Sequence, residues 1–60
     1  MSPQEHADAI TQAAAQLRVV VERALRELPV GRAQVAVGAM ADVLDDFYRE
    51  LEDLKAVLAP

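Results

Sequence analysis

The only histidine of the chain is the first candidate for chemistry, because acidic residues stand close to it. His6 lies between Glu5 and Asp8, and an imidazole near two carboxylates can bind a metal ion or move protons. These residues belong to the exposed start of a predicted helix, where an ordinary surface histidine is the favoured interpretation. With one histidine and no cysteine, thiolate and multi-histidine metal sites are excluded within one chain. We therefore predict no cofactor and no metal site.

A group of carboxylates in the second half of the chain is the next candidate. Its members are Asp42, Asp45, Asp46, Glu50 and Asp53. The group lacks the loop of an EF-hand and the Glu-x-x-His pairs of di-iron bundles, and helical spacing places it on an outward face. The sequence also has no nucleophile beside a base and no glycine-rich phosphate loop. It predicts a protein that is not an enzyme and has no catalytic residues.

Four arginines form the last candidate site, as contacts for RNA or DNA. They are Arg18, Arg23, Arg26 and Arg32. They would gather towards one end of the molecule, and a bundle of two hairpins could present them with Gln12 and Gln16 as an RNA-binding face. The net charge of −4 argues against general attraction to phosphates. Ion pairs with Glu22, Glu27 and Asp42 are the favoured interpretation, and nucleic-acid binding is the alternative.

Two long helices must position all of these residues. Ser2-Pro3-Gln4-Glu5 predicts a helix start, because it combines a serine cap, a proline in the first turn and the glutamate of a capping box. Leu28-Pro29-Val30-Gly31-Arg32 predicts a break, because proline disfavours helical geometry in the residue before it. No glycine or proline interrupts the sequence between Pro3 and Pro29.

The predicted fold class is all-α, with an antiparallel helical hairpin as the single domain over residues 1–60. Its helices span about residues 3–28 and 32–58, each about 40 Å long at a rise of 1.5 Å per residue. One continuous helix kinked at Pro29 is the less favoured alternative, because proline and glycine together make a poor helix interior.

Apolar residues follow alternating steps of three and four along both predicted helices. The first series is Ala7, Ile10, Ala14, Leu17, Val21, Ala24 and Leu28, and the second is Ala33, Val37, Met40, Leu44, Phe47, Leu51, Leu54 and Leu58. Such a seam predicts a helix packed along its length against other helices. In a hairpin, the alanines of the first helix would face the large side chains late in the second. Leu25 and Leu28 would face Ala33, Ala36 and Gly38.

Further apolar residues flank both series, so one hairpin cannot bury them all. A second copy is the simplest cover, and the sequence predicts a homodimeric four-helix bundle, a coiled-coil-like assembly. The expected interface residues are Val20, Leu25, Ala36, Val43, Phe47, Tyr48 and Val57. A charged residue in place of Val43 should weaken this dimer more than Asp45→Ala.

Charge is divided unevenly along the predicted hairpin. Residues 18–41 around the turn hold four arginines against two glutamates, a net charge of +2. The rest of the chain holds eight carboxylates against Arg49 and Lys55, a net charge of −6. Two hairpins with their turns at opposite ends would place basic beside acidic residues, so we expect that orientation, although salt screens exposed charges.

The sequence thus predicts a small acidic protein that binds itself and another protein, in docking, tethering or assembly. The alternative is a small RNA- or DNA-binding regulator that uses the arginines. The expected layout is similar to that of small plasmid RNA-binding proteins, which are dimers of helical hairpins, but no sequence motif is shared. No apolar run reaches the length of about 18 to 20 residues that spans a membrane, so we expect no membrane partner. The absence of cysteine and of a signal-like start predicts a cytoplasmic location.

Overall fold

The computed structural model describes residues 2–59, which form two α-helices. Helix α1 spans Pro3–Glu27 and helix α2 spans Arg32–Leu58, and the two pack side by side. The molecule is a rod of 46 × 16 × 13 Å. The predicted helical hairpin is confirmed, and both helices end within one residue of the expected positions.

A serine cap fixes the start of α1. Ser2 Oγ accepts a hydrogen bond from the backbone N–H of Glu5 at 3.1 Å, and the Ser2 carbonyl accepts one from His6 at 3.1 Å. Pro3 follows in the first turn, where its missing N–H leaves no hydrogen bond unmade. A cap of this kind stabilises a helix by about 1 kcal/mol.

The turn occupies residues 28–31 and ends α1 as the sequence predicts. Leu28 is extended, with ψ at 138°, because Pro29 disfavours the helical region for the residue before it. The Leu28 N–H still reaches the carbonyl of Ala24 at 2.9 Å. Across the turn, Gln34 Nε2 donates to the carbonyl of Leu25 at 3.3 Å and links the beginning of α2 to the end of α1.

The hydrophobic core of the hairpin is a single narrow line. Within residues 2–59 the buried side chains are Ala7, Ala14, Val21, Leu44 and Leu51. They recur every seven residues on each helix, which is the spacing of a seam between two helices. The side chains from α1 are small and those from α2 are leucines, so the two helices approach closely along this line.

The structure corrects the position of the rest of the seam. The predicted seam residues that stay exposed are Ile10, Leu17, Ala33, Met40 and Phe47. The residue one step further along the helix is partly buried in four of these five places: Thr11, Gln34, Ala41 and Tyr48. Each helix is therefore rotated relative to the prediction. The rotation follows the line of closest approach, where the small side chains of α1 meet the leucines of α2, and it also brings Arg18 to α2 and Gln34 to α1.

Candidate protein interface

The rotation leaves an apolar groove along one flank of the hairpin. The groove has a volume of about 670 Å³. All ten lining residues are apolar: Ile10, Ala13, Ala14, Leu17, Val21, Ala39, Met40, Val43, Leu44 and Phe47. The seven of them that are exposed are named the apolar edge: Ile10, Ala13, Leu17, Ala39, Met40, Val43 and Phe47. Three alanines in the lining leave the space that the larger side chains do not fill.

The apolar edge carries large side chains that the hairpin does not cover. Leu17 is 52% exposed, Val43 is 67% exposed and Phe47 is 44% exposed. Scattered apolar residues are normal on protein surfaces, whereas a contiguous apolar patch marks a binding site. The groove is therefore the strongest candidate for a functional surface.

The opposite flank of the hairpin is closed by polar contacts. Its residues are named the polar edge: Thr11, Arg18, Leu25, Gln34 and Tyr48. Arg18 lies at its centre, with Nε 3.2 Å from Glu22 Oε1 and Nη2 3.7 Å from Asp45 Oδ1. The guanidinium carbon also lies 5.2 Å from the centroid of the Tyr48 ring, which is the geometry of a cation–π contact. One arginine of α1 thus holds two residues of α2.

The charge of Arg18 is secure. The hydrogen bond to Glu22 is the main cause that raises the pKa of Arg18 above its ordinary value, and the negative charge of Asp45 adds to it. Partial desolvation acts in the opposite direction. The guanidinium therefore keeps its positive charge. Since both ends of each ion pair are about half exposed, each contributes little to stability.

Five of the seven predicted interface residues lie on the flank of the apolar edge. Val43 and Phe47 line the groove. Val20, Ala36 and Val57 continue the two faces at helical spacing and are exposed. The other two, Leu25 and Tyr48, lie at the polar edge and are partly buried within the hairpin.

Sequence reasoning assigned several groove residues to the interior of the hairpin. Ile10, Leu17 and Met40 were expected to pack between α1 and α2, and they line the open groove instead. One sequence signal indicates which side of each helix packs against the other helix. Arg18 and Gln34 stand next to the predicted seam, and long side chains of this kind can pack their stems against the seam while their polar ends make bonds.

Among residues 2–59, one of the four candidate arginines forms ion pairs and the other three form none. Arg18 pairs with Glu22, one of the carboxylates predicted to pair with these arginines, and with Asp45, which was not among them. Arg23, Arg26 and Arg32 are exposed at the turn end of the rod. Among residues 2–59, no ion pair within 4.0 Å includes any of these three.

The acidic candidates remain on the surface. His6 is exposed in the first turns of α1, and Asp8 accepts a hydrogen bond from Gln4 at 3.2 Å. In α2, Asp46 pairs with Arg49 at 3.0 Å. Within the described part of the chain, no group of three or more histidines or carboxylates is placed to hold a metal ion. Over the same residues, neither helix has the length of apolar sequence that a membrane crossing needs.

Comparisons with protein-family models, with curated proteins and with solved structures find no match to this chain. The groove, the polar edge and the distribution of charge are therefore the features from which a function has to be inferred.

Proposed function

We propose that this chain is a small non-enzymatic protein–protein interaction module that works as a homodimer. The apolar edges of two hairpins face each other, and the four helices form a bundle. The observation that carries this proposal is the groove of about 670 Å³, whose lining is entirely apolar and lies open along the flank of the rod.

The exposed area of the hairpin supports the proposal. Its accessible surface is 4711 Å², whereas a compact monomer of 6.5 kDa exposes about 3,800 Å². The excess is roughly 900 Å². A stable protein–protein interface of standard size buries about 800 Å² on each partner. The surplus surface is thus close to what one partner contributes to a dimer.

The narrow core also supports a dimer, because a small core gives a single hairpin little stability. A chain this small rarely gains enough stability from a single hydrophobic core and usually needs a disulfide, a metal or an oligomer in addition. The chain has no cysteine, so no disulfide can form. Each 100 Å² of apolar surface that a second copy covers contributes about 2.5 kcal/mol, before the cost of association.

A bundle of this kind leaves other surfaces free for a different protein. The acidic face of α2 with Asp42, Asp46 and Asp53 points away from the groove by its helical spacing and is exposed. Docking, tethering or assembly of a partner protein on such faces is the role that we propose for the dimer.

A matched pair of valines tests the proposal. Val43 and Val35 belong to the same helix and are 67% and 72% exposed, but only Val43 lines the groove. In size-exclusion chromatography with light scattering, we expect the wild-type chain and Val35→Glu to have the mass of a dimer. Val43→Glu should be a monomer, because the bundle would bury an unpaired charge on each copy.

Two results would contradict the homodimer. The first is a wild-type chain that stays monomeric at micromolar concentration. The second is equal behaviour of the two glutamate variants. Circular dichroism of both variants checks that the helices have formed.

The unpaired arginines favour a second candidate function, which is RNA or DNA binding at the turn end. Arg23, Arg26 and Arg32 have no ion-pair partner among residues 2–59. If they contact phosphates, affinity should fall steeply as salt rises, and Arg26→Ala should weaken binding more than Arg49→Ala at the acidic end. Absence of binding to RNA and DNA at low salt would remove this candidate.

A further inference from the structure

We infer that the two hairpins of the dimer lie with their turns at opposite ends, so that the assembly is a two-ended rod. This inference rests on the proposed homodimer and adds the orientation of the second copy. The orientation decides which surfaces come together at each end of the rod, and therefore what kind of connector the protein is.

The groove lies at the middle of the rod. It is lined by α1 between residues 10 and 21 and by α2 between residues 39 and 47, while the helices span Pro3–Glu27 and Arg32–Leu58. A two-fold axis across the rod at this level turns the apolar edge onto itself. Each helix then faces its own copy, α1 against α1 and α2 against α2, and the turns point in opposite directions.

A two-fold axis along the rod would also cover the groove, with both turns at the same end and α1 facing α2 of the second copy. The groove alone does not choose between the two arrangements. The charged residues between the groove and the two ends of the rod favour one of the two orientations.

The opposite-end arrangement joins unlike charges. At 1.5 Å per residue, Arg23 and Arg26 near the end of α1 come level with Asp8 and Glu5 at the start of α1 in the second copy. Both arginines are exposed and have no ion pair among residues 2–59. The turn end of each hairpin, with a net charge of +2, therefore lies along the acidic end of the other, with a net charge of −6.

The same-end arrangement joins like charges. It brings Glu5 and Asp8 of α1 level with Asp53 and Glu50 in α2 of the second copy. Packed helices lie about 8 to 10 Å apart, which is about one Debye length at physiological salt, so this repulsion is only partly screened. The ends concerned each carry a net charge of −6, from eight carboxylates against Arg49 and Lys55.

The orientation has a consequence for function. Ser2 and Ala59 of each copy lie at the same end of its hairpin, away from the turn. In the opposite-end dimer, the two such pairs lie at the two ends of a rod about 46 Å long. Two partners bound at those ends are held apart, whereas the same-end dimer would hold them together.

Distances between spin labels distinguish the two orientations. The chain has no cysteine, so Val30→Cys carries a single label, and Val30 is 92% exposed in the turn. Double electron–electron resonance should give a turn-to-turn distance of about 40 Å for the opposite-end dimer. The same-end dimer places the turns side by side and predicts less than about 25 Å. Gln16→Cys, on the outer face at mid-rod, should show a dipolar signal in either orientation.

The two labels separate failure of the orientation from failure of the dimer. A short turn-to-turn distance together with a signal at Gln16→Cys would overturn the opposite-end arrangement and leave the homodimer standing. No dipolar signal at either position, at a concentration where both variants are helical, would overturn both. A distance of about 40 Å at the turn with a signal at mid-rod supports both.

Discussion

The two flanks of the hairpin belong to the same pair of helices but are completed in different ways. On the polar edge, Arg18 reaches across to Asp45 and Tyr48, and the hairpin closes itself. On the apolar edge, Leu17 and Phe47 line a groove that stays open. Phe47 and Tyr48 are neighbours in sequence, yet they lie on opposite flanks. The difference teaches that a two-helix protein can close one flank with its own side chains and leave the other flank open.

The neighbouring aromatic residues give the largest expected effect. Phe47→Ala should weaken the dimer about 100-fold, because truncating a phenylalanine that the bundle buries costs about 3 kcal/mol and each factor of ten corresponds to 1.4 kcal/mol. Tyr48→Ala should lower the Tm of the hairpin and change the dimer dissociation constant less than about threefold, since its ring contacts Arg18 of the same chain. Sedimentation equilibrium over a dilution series measures both constants.

The opposite ranking would reverse the roles of the two edges. If Tyr48→Ala dissociates the dimer and Phe47→Ala does not, the second copy covers the polar edge, as the sequence prediction for Tyr48 implies.

Gly38→Ala should stabilise the hairpin, and the change should be smaller than the effects of the aromatic substitutions. Gly38 lies inside α2, four residues after Gln34 of the polar edge, and an added Cβ would meet nothing within 4 Å among the described residues apart from its chain neighbours and the backbone of its own helix. Alanine is about 1 kcal/mol more favourable than glycine in a helix interior. We expect the free energy of unfolding in urea to rise by about that amount, with the dimer constant unchanged. A loss of stability would indicate that another chain approaches the polar edge closely at this position.

Asp45→Ala should have the smallest effect. The Asp45 carboxylate lies 3.7 Å from Arg18 Nη2 and is 58% exposed, so solvent screens the pair. We expect the Tm to change by about 2 °C or less and the dimer to persist, in contrast to Val43→Glu. Thermal unfolding followed by circular dichroism compares the two variants, and a dimer lost in Asp45→Ala would contradict a self-contained polar edge.

The hairpin could be predicted from the sequence because its signals are local. Ser2 and Pro3 fix the start of α1, and Pro29 forces Leu28 out of the helical region. Both signals act within a few residues of the boundary. They do not depend on how the two helices pack.

The rotation of the helices could not be predicted from periodicity. An apolar pattern wider than one contact fits several rotations, and it treats Leu17 and Val21 alike. The observed rotation places Arg18 and Gln34 beside the seam, where their polar ends find partners across the hairpin. These are tertiary contacts between residues far apart in the sequence.

The candidate site was predictable in part for the same reason. Val43 could be identified because it flanks the seam of α2, where the apolar surface exceeds what one partner helix covers, and Phe47 was assigned both to the seam and to the interface. Leu17 and Met40 were missed because the pattern places them in the seam, and only the rotation brings them to the groove. The groove is thus the surface that stays exposed when the helices rotate so that the polar edge packs between them.

The mass of the wild-type chain in solution tests the central claim most directly. Sedimentation equilibrium at micromolar concentration should give twice the chain mass of 6.5 kDa. The Tm should rise with protein concentration, because the folded hairpin is stabilised by its own association. A species of 6.5 kDa that unfolds cooperatively at a Tm independent of concentration would contradict the claim that the apolar edge is completed by a second copy.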